Sequence, residues 1–279
     1  FLISFSPKIP LENKKTDFWI PAIFGDHMVL QQDTLITLWG RNKPGVNVSL
    51  KPDWTQKIRV KTGSDGRWTA ILQAGKPGEV HTLKIKTRDT TLVFSDILFG
   101  EVWLCGGQSN MEYPLKSSFK NKEADDLEAE MRNASYPSLR LFKVERSHHL
   151  FPREDVKGKW IVCSPETVVE FSAVAYFFGK NLHKALETPI GLISSSVGGT
   201  PAQVWVSRNG LGSDQALQPY AEVIDSIRNL YQQDSIVARR AFVHRTPTGY
   251  YNGMIAPLIP YTLKGAIFYQ GEGNSRWQQ

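Results

Sequence analysis

EVWLCGGQSNMEYP, residues Glu101–Pro114, begins as an apolar strand and ends in two glycines, an amide, a hydroxyl and a second amide. A strand that merely reaches the surface needs a single turn residue. Here Gly106-Gly107-Gln108-Ser109-Asn110 gathers polar groups at a strand end, and its surroundings decide the fold. The apolar run ILFGEVWL feeds into it. Downstream, strand and helix patterns alternate: a charged helical stretch over about 121–133, the strand LRLFKV at Leu139–Val144, and the helix SAVAYFFGKNLHKALE at 172–187, for which Ser172 is the expected N-cap. The run IGLISSS follows Pro189, a long helical segment covers roughly 214–240, and KGAIFYQ leads into Gly271-Glu272-Gly273-Asn274. Alternation of this kind predicts an α/β layer with a mainly parallel sheet over residues 96–279.

Upstream the pattern differs. TLITLWG, VNVSLK, QKIRVKT, RWTAIL, HTLKIKT and TTLVFS are short alternating runs separated by Lys43-Pro44-Gly45, Ser64-Asp65-Gly66 and Lys76-Pro77-Gly78. Such spacing predicts an antiparallel β-sandwich or jelly-roll-like domain over residues 1–95. Within it, Asp26-His27 beside the apolar MVL run reads as structural.

Composition narrows the class. With 279 residues, 41% hydrophobic and 22% charged, the chain is that of a globular protein with two expected domains. No apolar run approaches the ~20 residues of a membrane helix. The opening FLISFS is too short for a signal peptide and reads as the ordinary start of a mature chain. The net charge of +6 lies entirely in residues 1–95, which hold 14 Lys and Arg against 8 Asp and Glu; residues 96–279 hold 19 of each. The basic residues alternate with apolar ones, as in IRVKT, so they mark solvated strand faces rather than a nucleic-acid surface. Cys105 and Cys163 form neither a disulfide framework nor a zinc site, and Cys105 reads as a buried free thiol.

In an open parallel sheet, sites form outside the carboxyl ends of the strands. Three strands here end in small or polar residues: CGGQSNM, SSSVGGT and YQGEGN. Ser109 is the group among them that becomes a good nucleophile when a base takes its proton and donors stabilise an oxyanion. Gly199 lets a backbone N–H approach a substrate closely. Gln270 and Asn274 each offer an amide donor, and Glu272 a carboxylate able to orient a histidine. The pattern is not a G-x-S-x-G elbow, because Met111 occupies the second glycine position, and no P-loop lysine follows the glycines.

Three blocks, GEVWLCGGQSNMEYPL, PIGLISSSVGGTPAQVW and NGMIAPLIPYTLKGAIFYQGEGN, resemble the sialate O-acetylesterases of the SGNH hydrolase superfamily. AIFGDHMVLQQ and LWGRNKPG extend the resemblance over roughly residues 20–275. It implies a flavodoxin-like three-layer α/β hydrolase domain preceded by a β-sandwich, and hydrolysis of acetyl esters on sugars. It further implies Ser109 as nucleophile, Gly199 as backbone oxyanion donor, and Gln270 and Glu272 as the donor and carboxylate of the third block. No metal or organic cofactor is implied, no nucleic-acid or membrane partner is expected, and export to a periplasm, the exterior or a lysosome-like compartment follows from the resemblance alone. Acetylxylan or another acetylated polysaccharide is the rival substrate, and a non-catalytic sugar-binding protein is the rival of another class.

Two departures stand out. Gly273 replaces a small hydroxyl residue common in relatives. More consequentially, the family's catalytic histidine lies in a later Asp-x-x-His block, and no Asp-x-x-His occurs between residues 1 and 279. His148 and His149 sit in the polar stretch SHHLFPRED and read as a solvated loop. His183 lies within a helix, His27 and His81 in the first domain, and His244 in a connector before Pro247. None stands at a strand end beside CGGQSN, SSVGGT or YQGEGN. The expectation is therefore an esterase whose C-terminal portion, as a further segment or a second chain, supplies the imidazole.

Overall fold

The computed structural model describes residues 18–116 and 124–275. The amino-terminal ladders follow from their alternation. β1 (Val29–Gln31) is short; β2 (Leu35–Arg41), β3 (Asn47–Pro52), β4 (Ile58–Lys61), β5 (Arg67–Gln73) and β6 (His81–Lys86) then lead to β7 (Thr91–Gly107). β2 and β5 form one antiparallel ladder, while β4, β3, β6 and the first part of β7 form another. Each buries every second residue: Trp68, Ala70 and Leu72 on β5, Leu83 and Ile85 on β6. These faces meet in one apolar cluster with Ile36, Leu38, Val48 and Leu50, as period-two side-chain geometry requires.

β7 is one strand of 17 residues where two were expected. Up to Phe94 it alternates, and up to Ile97 it pairs antiparallel with β6; from Ile97 onward it is almost continuously buried, and Leu98 to Gly100 pair in parallel with β1. The boundary expected after residue 95 therefore falls inside a strand, at a register shift where Asp96 takes a φ of +54°. The nearly buried Arg140 fixes this point, donating from Nη1 and Nη2 to the Asp96 carboxylate at 2.6 and 3.0 Å, with His27 Nδ1 at 2.6 Å from the same group. Burial disfavours that charge, yet the bonds from Arg140 and His27 outweigh it and hold the Asp96 carboxyl below its usual range.

The remaining elements are α1 (Ser109–Glu112), α2 (Ala124–Arg132), β8 (Tyr136–Lys143), β9 (Trp160–Cys163), α3 (Pro165–Val168), α4 (Ala173–Leu186), β10 (Ile190–Ser196), α5 (Arg208–Gly212), α6 (Gln218–Gln233), α7 (Ser235–Ala241) and β11 (Gly265–Tyr269). β8, β10, β7 and β11 run parallel, with β9 antiparallel beside β8. The fold is thus mixed α/β around a central, mostly parallel sheet. One face packs on α4 through Ala175, Tyr176 and Leu192; the other carries Phe142, Ile193, Trp205, Tyr250 and Met254. β10, covered on both faces, is buried at all seven residues.

Ser172 caps α4 as expected, accepting from Ala175 N at 3.1 Å. The long helix expected over 214–240 is interrupted. Asp234 adopts an extended backbone and accepts from the N–H groups of Ile236 and Val237, ending α6 and starting α7. The first residues of the 121–133 stretch lie outside the described residues. Both cysteines are buried free thiols. Among the described residues no helix is long and apolar enough to cross a membrane.

Candidate active site

β7, β10 and β11 end level with one another, Gly107 pairing with Ser196 on one side and Tyr269 on the other. Two bonds stitch the three ends: Gln108 N donates to Tyr269 O and Val197 N to Gly107 O, each at 3.1 Å. Gly107 makes the junction possible. Its φ is +146°, and a Cβ there would lie 2.1 Å from Tyr269 O. The chain then turns into α1, a single helical turn that presents Ser109 and Asn110 to solvent while Gln108 and Met111 stay buried.

Opposite Ser109 lies the turn after β10. A Cβ on Gly198 would stand 3.5 Å from Ser109 Cβ, and one on Gly199 (φ +72°) would meet no atom within 4 Å. Gly199 therefore faces open space, next in the chain to the glycine that packs against Ser109. Glu112 holds this turn, its Oε2 accepting from Gly198 N at 2.6 Å. Thr200 Oγ1 closes the turn by donating to Val197 O at 2.7 Å and accepting from Trp205 Nε1 at 3.0 Å.

The segment after β11 brings the third set of polar groups, and their bonds differ from expectation. The Glu272 carboxylate accepts from two side-chain amides, Gln108 Nε2 at 2.5 Å and Asn110 Nδ2, so it clamps both residues flanking Ser109. No imidazole is bonded to it among these contacts. Gln108 Oε1 in turn accepts from Gly273 N at 3.1 Å. Gln270 Nε2 donates to Thr200 O at 3.0 Å and its Oε1 accepts from Gly271 N at 2.9 Å. Asn274 accepts from Ala202 N at 2.8 Å and donates to Gln203 Oε1 at 3.1 Å. One N–H of each amide and the Asn274 oxygen are thus spent bracing the 200–203 segment, while the Gln270 oxygen holds Gly271, which leaves each amide a second N–H. All five residues read from the sequence, Ser109, Gly199, Gln270, Glu272 and Asn274, lie at this one end of the sheet. Gln108, Glu112 and Gln203 belong to the same network. Glu112 lies three residues after Ser109, on the same helical face, which is the local signal that could have singled it out.

His27, His81 and His183 are engaged elsewhere. His81 Nδ1 lies 3.0 Å from Asp53 Oδ1 and His183 Nδ1 2.7 Å from Thr188 O, while His244 is exposed. His148 corrects the reading of SHHLFPRED as a solvated loop. Its ring stacks on Phe242 with centroids 4.1 Å apart and packs on Tyr250. Burial, followed by the nearby charges of His149, His244 and Arg146, pushes its pKa down to about 4. No group of three or more His, Cys, Asp or Glu able to hold a metal occurs among the described residues.

The family model of carbohydrate esterases described as sialic acid-specific acetylesterase matches residues 100–279. Sialate O-acetylesterase of Rattus norvegicus is 32% identical over 296 residues, covering 94% of this chain and 53% of the relative. The Homo sapiens protein of the same name is 31% identical over 277 residues, covering 92% and 49%. The crystal structure of a carbohydrate acetylesterase from Xanthomonas citri superposes with a TM-score of 0.75 at 31% identity, covering 92% of this chain and 52% of that one. The chain spans about half the length of the curated relatives it matches.

Proposed function

The chain belongs to the carbohydrate esterase family of sialic acid-specific acetylesterases, and on that premise we propose that it removes O-acetyl groups from sugars, sialic acid O-acetyl esters foremost. The observation that carries this reading is the exposed Ser109 facing the Gly198-Gly199 turn, with Gly198 held by Glu112. Ser109 Oγ attacks the acetyl carbonyl, and the Gly199 N–H stabilises the tetrahedral oxyanion. The second N–H groups of Gln270 and Asn274 are further candidate donors. Collapse expels the sugar alcohol, which takes up a proton, and leaves an acetyl-serine. Water then attacks the acyl-enzyme and acetate departs.

A serine needs an imidazole to accept and return that proton. In this reading it comes from the Asp-x-x-His block of the family, in a C-terminal portion of the same protein joined to this chain or present as a second polypeptide. Two features support the idea: the rings of His27, His81, His148 and His183 are committed elsewhere, and among the described residues β11 pairs only with β7 and leaves Phe268 56% and Tyr269 46% exposed. The central sheet is then the core of a flavodoxin-like three-layer hydrolase domain, and the two amino-terminal ladders form a β-sandwich that precedes it. Export from the cytoplasm belongs to the same proposal. With the Asp-x-x-His portion present, Ser109→Ala lowers hydrolysis of a simple acetyl ester at least ~10³-fold, and a serine-directed phosphonate labels the wild type at Ser109. Retention of a tenth of the activity by the alanine variant refutes the assignment.

A further inference from the structure

Arg146 is an exposed arginine whose guanidinium is held rigidly from one side. Its Nε and Nη2 donate to the hydroxyl of Tyr250 at 3.1 and 2.9 Å, and Tyr250 is itself buried. Tyr250 stacks on Trp205 with centroids 5.3 Å apart and planes inclined by 24°. Trp205 bonds to Thr200, the residue after Gly199. A chain of packed groups therefore ties Arg146 to the turn beside Ser109.

Register places the two on one rim of the sheet. Lys143 on β8 pairs with Ser194 on β10, and Ser194 pairs with Cys105 on β7. Beyond Lys143 the chain continues without a turn, Val144 N donating to Ser194 O at 2.9 Å, so Arg146 comes level with Gln108. β8 lies two strands from β7, a lateral distance of roughly 10 Å at ordinary strand spacing. That is about the reach of one sugar acid, from an acetylated exocyclic carbon to its carboxylate.

Among the described residues no carboxylate forms a salt bridge with Arg146. Its Nη1 and the second Nη2 hydrogen remain after Tyr250 is served, leaving a planar pair of donors that matches two carboxylate oxygens. Because Tyr250 fixes the guanidinium beforehand, little freedom is lost when an anion docks.

We propose that Arg146 is the carboxylate-recognition residue of the site, selecting acidic O-acetylated sugars over neutral ones. The proposal rests on the esterase reading of Ser109 and names the substrate feature that reading leaves open. An acetylated xylose unit carries no carboxylate to engage Arg146, whereas an O-acetylated sialic acid presents its own at the required reach.

Binding to the full chain tests this without turnover. N-acetylneuraminic acid and its uncharged methyl ester are titrated by ligand-observed NMR against wild type, Arg146→Met and Arg146→Lys. The acid should bind wild type about 10- to 100-fold more tightly than the ester, the range of a charge-assisted pair. Arg146→Met should abolish that preference and leave ester binding unchanged. Arg146→Lys keeps a donor for Tyr250 but lacks the fork, so the preference should fall at least threefold; this variant decides the matter if the methionine variant does not fold. Equal binding of acid and ester by wild type, binding of neither, or equal weakening of both in the variants overturns the proposal. Phosphonate labelling of Ser109 with the Asp-x-x-His portion present keeps the two readings apart. Labelling without acid preference refutes the Arg146 subsite alone, and acid preference without labelling refutes the esterase mechanism alone.

Discussion

Gly107→Ala is the sharpest test of how the three strand ends are joined. The new methyl carbon would lie 2.1 Å from Tyr269 O and 2.8 Å from Tyr269 C, and backbone atoms of a paired strand cannot swing aside as a flexible side chain can. Holding a non-glycine residue at φ +146° costs about 1–3 kcal/mol. Forcing a methyl into a filled space costs a further 1–3 kcal/mol or so. With roughly 4 kcal/mol as the middle of the combined range, and about 2–4 °C per kcal/mol for a chain of this size, the melting temperature should fall by about 10 °C. Gly199→Ala is the matched control. It also sits at positive φ but meets nothing within 4 Å, so only the left-handed backbone cost of about 1–2 kcal/mol applies. Melting followed by near-UV circular dichroism measures both. Phosphonate labelling of Ser109 in the folded proteins, with the Asp-x-x-His portion present, then reports the site, and it should slow markedly in Gly107→Ala because β11 and its Glu272 clamp must shift. A Gly107→Ala protein that melts within 2 °C of wild type, or no lower than Gly199→Ala, would refute the reasoning.

Three other outcomes are expected. Glu112→Ala should lower turnover of an acetyl ester about 10²-fold with little change in the Michaelis constant, because a misplaced turn harms the transition state most; Glu112→Gln, which keeps an acceptor for Gly198 N, should retain most activity, and equal loss in both variants would point to the charge instead. Burial pushes the Cys163 thiol up to about 12, helped by the nearby Glu130, and burial raises Cys105 as well; neither should react with a disulfide reagent at pH 8 until the protein unfolds, and rapid native labelling would contradict their placement. His148 titrates near 4 when folded against about 6.5 when unfolded, so the unfolded chain binds the extra proton and stability should fall as pH drops from 6.5 towards 4. His148→Phe should flatten that slope in urea titrations, and an unchanged slope would count against a buried neutral ring.

The sequence by itself determined the strand alternation around Trp68 and Leu83, the capped helix after Ser172, and the polar endings of CGGQSNM, SSSVGGT and YQGEGN. These are local signals, because side-chain period and capping chemistry are set within a few residues. The break at Asp234 is also local, an N-cap residue that ends one helix and starts the next although apolar periodicity continues on either side. What only the tertiary structure decided is which polar group meets which. Glu112 reaches Gly198 across 86 residues, Glu272 reaches Gln108 across 164, and Arg146 reaches Tyr250 across 104. Gln270 and Asn274 carry the amides expected of them, yet register directs one N–H of each into the 200–203 segment. The continuity of β7 through residue 95 belongs here too, since one strand can serve an antiparallel ladder and a parallel sheet only when both partners are already in place. Periodicity specifies which face of a strand is dry; the pairing register of β7, β10 and β11 specifies what stands beside Ser109, and that register exists only in the folded sheet.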